Sequence, residues 1–99
     1  MMEQRKNQRF DLRLPIEILD ERLEHPVGET LNLSSCGVLF TTAEPVPIGE
    51  PIEYLITMPK APGTRAMVRL KCIGKVVRND DGTSFAATLE RYEFVRVKA

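Results

Sequence analysis

Tryptophan is absent from this chain, and histidine occurs once, at His25. A single histidine leaves little room for Ser/His/Asp or Cys/His catalysis. His25 sits in a Pro- and Gly-containing stretch with no partner at metal-ligand spacing, so no metal site is expected. Cysteine is nearly as scarce. Cys36 and Cys72 show no C-x-x-C spacing, and two reduced thiols are the expectation. Only six aromatic residues are present, too few to fill a core and also build an exposed base-stacking platform. Neither sign of charge prevails: 14 Lys plus Arg face 14 Asp plus Glu, for a formal net charge of zero. That balance argues against whole-surface attraction to a nucleic-acid polymer or an acidic membrane. No apolar run is long enough for a signal peptide or a membrane span, so no membrane insertion is expected. Repeats and low-complexity segments are lacking too.

What is present fits one small domain with a modest core. Leu12, Leu14, Ile16 and Ile18 alternate with polar residues and Pro15, the period of a half-buried strand. Pro15 cannot donate to a ladder, so an edge or a bulge is expected there. A second strand is predicted over 27–33, with Leu31 and Leu33 inward and Thr30 and Asn32 outward. Ser34 to Gly37 is turn chemistry, and Val38 to Thr42 a third strand. Pro45 and Pro47 mark a connection. Ile52, Tyr54, Ile56 and Met58 alternate in a fourth strand, and Ala66 to Val77 makes a long fifth one, with Gly74 allowing a bend. Asn79-Asp80-Asp81-Gly82 signals a hairpin, returning through Ser84 to Leu89. This turn explains Asp80 and Asp81 better than acid–base catalysis does. Residues 90–99 have no clean period, although Phe94 to Val97 looks extended rather than helical. Six strands and no long amphipathic helix argue for an all-β domain closed into a barrel.

Two short patterns carry chemistry. Arg5-Lys6-Asn7-Gln8-Arg9 reads R-x-x-x-R in a polar N-terminal stretch, and Asn32-Leu33-Ser34-Ser35-Cys36-Gly37 reads N-x-S-x-x-G between two strands. Each alone is weak: a cationic run is usually a solvated terminus, and Asn, Ser and Gly favour turns. In this order and spacing they resemble the signature of the PilZ family, bacterial receptors for cyclic di-GMP. Gly74-Lys75-Val76-Val77-Arg78 resembles a further family segment that precedes a hairpin. There are departures as well. The family's return strand usually carries a glycine where Ala86 falls, and a helix often follows the barrel.

The resemblance implies an all-β fold, a six-stranded antiparallel β-barrel of split-barrel type with little or no C-terminal helix. Residues 1–11 are expected to form a flexible tail and 12–99 the barrel. It also implies a ligand. An arginine fork matches guanine O6 and N7 bidentately, pairs with phosphate and stacks on a base. The family role falls on Arg5 and Arg9, with Lys6 as a further phosphate contact. Arg9 to Arg13 also fits R-x-x-x-R, but Arg13 lies inside the alternating strand, so the first register is preferred. Asn32, where the family has Asp or Asn, can donate to and accept from a guanine edge. Ser34 offers a hydroxyl, and Gly37 is expected to permit positive φ and close backbone approach. Phe40 is expected in the core rather than against a base.

The expected function is a non-catalytic cyclic di-GMP receptor, cytoplasmic and without cofactor, that changes conformation on binding and signals to a separate, unidentified protein partner. Whether it forms a homodimer is left open. The alternative is a PilZ-like interaction module that binds no nucleotide. A barrel for RNA or single-stranded DNA is a weaker rival.

Overall fold

Alternation of apolar and polar residues is cleanest in the first and fourth strands of this fold. The computed structural model describes residues 9–60, 62–63, 67–80 and 82–97, and among them there are seven β-strands and no helix. The strands are β1 (Pro15–Ile18), β2 (Val27–Leu33), β3 (Gly37–Thr42), β4 (Pro51–Thr57), β5 (Met67–Asn79), β6 (Ser84–Thr88) and β7 (Arg91–Val97). All pairings are antiparallel. The order β1-β2-β3-β6-β5-β4 returns to β1, which closes a six-stranded barrel. β7 stands outside the ring, paired with β5.

The core is the inward half of each alternation. Ile16 and Ile18, Val38 and Phe40, Ile52, Tyr54 and Ile56, Leu70, Cys72 and Val76, and Phe85 and Ala87 are all buried. The Phe40 and Phe85 rings stack at 5.9 Å, and such a pair adds about 0.5–1.5 kcal/mol to their burial. Tyr54 lies wholly inside and its hydroxyl donates to the Thr88 carbonyl at 2.9 Å. Burial raises the pKa of that phenol, with smaller contributions from Cys72 and Glu90.

Two irregularities depart from strict alternation. The first is in β2. Thr30 pairs with Phe40 but Asn32 pairs with Leu39, so Leu31 is an extra residue. One inserted residue reverses which face a strand presents. Leu33 therefore packs on the core and Asn32 faces out, as the alternation predicts, but Thr30 turns inward instead of outward and is fully buried. Its hydroxyl accepts from Leu14 N at 2.9 Å and donates to the Leu12 carbonyl, taking the place of a ladder partner. The first strand consequently begins at Pro15 rather than Leu12, with Leu12 exposed and Leu14 buried ahead of it. Pro15 is its first residue, where a missing N–H costs little.

The second irregularity splits the return strand. β6 and β7 run in the same direction along one edge of β5, and Arg78 opposite Ala86 keeps the register of Ile73 opposite Arg91. An extra residue at Val77 on β5 is thus matched by one near Thr88–Glu90. At the break, Lys75 N donates to Thr88 Oγ1 and Glu90 N to the Ile73 carbonyl, both at 2.9 Å. β6 closes the barrel against β3, and β7 departs along β5 as an outer strand.

Candidate functional site

The predicted turn Ser34–Gly37 is held from both sides. On one side Phe10 and Leu33 form an isolated antiparallel bridge, with N–H to carbonyl distances of 2.8 and 2.9 Å. On the other, Leu89 N donates to the Cys36 carbonyl at 2.9 Å, and Gly37 pairs with Thr88. Inside the turn, Ser34 N donates to the Gly37 carbonyl at 2.9 Å, and Ser34 Oγ accepts from Cys36 N at 3.3 Å. Ser34 is only 5% exposed, so its hydroxyl is fixed rather than free to rotate through solvent.

The Phe10 bridge sets Arg9 beside this turn. Arg9 Nε donates to Asn32 Oδ1 at 2.7 Å and Arg9 Nη1 to Ser34 Oγ at 3.4 Å. The first is a short, charge-assisted bond. Three of the expected site residues, Arg9, Asn32 and Ser34, are therefore in direct contact, and Gly37 closes the same turn. Arg13 is elsewhere: its guanidinium lies 3.8 Å from the Glu29 carboxylate on the outer surface. Arg5 and Lys6, and most of the expected tail, lie outside the described residues.

Gly37 departs from expectation in one respect. It does not adopt positive φ; among the described glycines only Gly49, Gly63 and Gly82 do. Its reason is proximity, since a Cβ there would lie 3.1 Å from the Ala87 carbonyl oxygen. Phe40 is core, as expected: it is fully buried against Phe85 and is not available to a base.

Sequence reasoning missed Phe10 and Leu89, which clamp the turn through backbone atoms. Phe10 carried one signal, an apolar residue next to a motif arginine; Leu89 carried none, because its part is played by an N–H. It also missed that Glu24, His25 and Glu44 come together, with ligand atoms within 4.8 Å of one another. The Glu44 carboxylate there already accepts from the N–H groups of Glu24 and His25.

Two concavities lie away from this turn. One, of about 230 Å³, is lined by Lys71, Ile73, Arg91, Tyr92 and Glu93; another, of about 240 Å³, lies near Leu19, Asp20 and Ile52. The Arg9–Asn32–Ser34 corner is polar, with Arg9 exposed, Asn32 half-buried and Ser34 buried. Specific donors and acceptors mark it.

The comparisons with known proteins agree with the fold. The PilZ domain model matches residues 3–97, and the chain belongs to the PilZ domain family. No curated protein matches it. Among solved structures it is similar to the Bacillus subtilis inhibitor of motility (MotI/DgrA), with a TM-score of 0.68 and 20% sequence identity. That match covers 93% of this chain and 44% of the other, so the chain spans less than half the length of the protein it resembles. At this identity the likeness is one of fold. No helix among the described residues is long and apolar enough to cross a membrane.

Proposed function

We propose that this chain is a cyclic di-GMP receptor without catalytic activity, which binds its ligand at the polar corner formed by Arg9, Asn32, Ser34 and Gly37. The observation that carries this reading is the hydrogen bond of 2.7 Å between Arg9 and Asn32, which joins the two halves of the family pattern. Arg9 presents a planar cation, Asn32 an amide able to read a guanine edge, and Ser34 a buried hydroxyl. The family pattern gives Arg5 a second fork on the ligand and Lys6 a phosphate contact. Binding changes the surface around the corner, and a partner protein reads that surface. The chain acts in the cytoplasm on this reading.

Arg9 is already hydrogen-bonded to Asn32 and Ser34, which lowers the ordering cost of binding. The ligand either keeps these bonds or replaces them with its own. Isothermal titration calorimetry tests the reading: the protein binds cyclic di-GMP with saturable heat at moderate salt. Arg9→Ala and Asn32→Ala each weaken binding on the order of 10- to 100-fold, the size of effect that removing one charge-assisted hydrogen bond produces. Arg13→Ala changes affinity by no more than about threefold, because its ion pair is exposed and away from the turn. Absence of binding at high micromolar ligand sinks the proposal, and equal losses at Arg9 and Arg13 sink the residue assignment.

A further inference from the structure

β7 is an edge strand with few of the usual protections. Its pairing with β5 runs over all seven residues, Met67 opposite Val97 to Ile73 opposite Arg91, with no register shift. It contains no proline or glycine, and its charges are Arg91, Glu93 and Arg96. Among the described residues it pairs with β5 alone, so its second edge has no strand partner. Edge strands of monomeric proteins are usually short, bulged or interrupted. This one also carries two large aromatics on one face. Tyr92 and Phe94 stand opposite Cys72 and Leu70, on the face that continues the barrel interior, but β7 lies outside the ring. They are therefore 58% and 66% exposed, and they meet edge to face at 6.0 Å.

We propose that β7 is a homodimerisation strand, pairing antiparallel with β7 of a second copy about a twofold axis through Phe94. Symmetry restricts the registers. A twofold perpendicular to the sheet keeps each face on its own side, so only residues of the same parity can stand opposite one another. The register centred on Phe94 is the one that pairs the whole of β7, Arg91 to Val97, with itself. It sets Phe94 against its twin and Arg96 against Tyr92 of the other copy, twice over by symmetry. An arginine opposite an exposed tyrosine is a favourable cation–π and cross-strand pair. Glu93 stands opposite Val95 of the other copy and keeps Lys71 as its cross-strand neighbour within its own chain. Shifting the axis by one residue to Glu93 would place two like carboxylates opposite each other, which is destabilising. Pairing of the whole strand, together with two Arg96–Tyr92 contacts, favours this register and a second copy as the occupant. A net charge of zero removes long-range repulsion between copies.

Two measurements without any nucleotide test this. Sedimentation of the wild-type protein shows a dimer that grows with concentration, and Phe94→Lys weakens association at least tenfold. Phe94 is mostly solvent-facing, so this variant keeps its circular dichroism spectrum. For the register, cysteines are placed in a Cys36→Ser background, leaving only the buried Cys72. Directly opposed residues have Cα atoms about 4.5–5.5 Å apart, within disulfide reach. Under mild oxidation Phe94→Cys forms a symmetric disulfide dimer, and Arg91→Cys, whose twin lies at the far end of the strand, does not. A wild-type protein that remains monomeric at high concentration overturns the proposal. So does equal cross-linking at positions 91 and 94, or none at 94. Nucleotide binding is not read out, so this outcome is independent of the receptor function.

Discussion

Gly74 has no room for a side chain. A Cβ there would lie 1.8 Å from the Thr88 carbonyl oxygen, an atom of the main chain that also accepts the Tyr54 hydroxyl. Neither group can swing aside, because one is backbone and the other is packed inside the barrel. Gly74→Ala therefore forces β5 away from the point where β6 ends. We expect a loss of about 2–3 kcal/mol or more, read as a lower urea midpoint. Gly37→Ala is milder, since its Cβ would sit 3.1 Å from a carbonyl and a small shift relieves it. A reversed order of these two costs would show that the crossing at Gly74 is looser than described. Gly74 was legible as a special position in the fifth strand, but as a bend. Its partner was not, because the contact joins residues that only the barrel brings together. Thr30 teaches the same lesson. Its burial follows from one bulge at Leu31, and alternation by itself assigns it to the wrong face.

Among the loops, the connection from β1 to β2 is organised by charge. Asp20 accepts from Arg22 N at 3.0 Å and from the Arg22 guanidinium at 2.8 Å, and the same guanidinium reaches Glu50 at 2.8 Å. The Arg22 hydrogen bonds lower the Asp20 carboxyl from 3.8 to about 2. A carboxylate with a lowered folded pKa contributes stability above its unfolded pKa and loses it as pH falls through the folded one. The contribution is thus complete above about pH 4 and fades towards pH 2. Urea midpoints followed from pH 5 to pH 2 should fall, and Asp20→Asn should flatten that limb of the profile. A variant with the same acid dependence as wild type would show that the cluster adds nothing measurable, as many exposed ion pairs do. Glu50, from the connection before β4, carried no sign in the sequence of being this loop's partner. The reverse holds for the Asn79–Ser84 hairpin. There the Asn79 side chain accepts from Gly82 N at 2.9 Å and Gly82 takes φ near 88°, both consequences of local sequence.

For the whole molecule, ligand binding and stability are one equilibrium. A domain of this size buries a modest core, so any ligand that binds only the folded state raises its melting temperature visibly. At free cyclic di-GMP near 100 times the Kd, linkage adds about 2.7 kcal/mol, a rise in Tm on the order of 10 °C for a domain of this length. Arg9→Ala at the same ligand concentration should show a much smaller rise. No shift in the wild-type protein at saturating ligand would contradict the receptor reading directly.

The order of residues decided most of the strands, the inward residues of β1 and β4, and the turn at Ser34 to Gly37, because period two and turn chemistry act between near neighbours. It also held both halves of the family pattern. What tertiary structure alone decided was how the barrel closes: β4 meeting β5, β6 joining β5 to β3, and β7 left outside with Tyr92 and Phe94 uncovered. It likewise set the Phe10–Leu33 bridge that lays Arg9 on Asn32. These choices depend on contacts between distant segments, where a single bulge or a hydrogen bond from a backbone N–H settles the outcome and neither is written in the side chains.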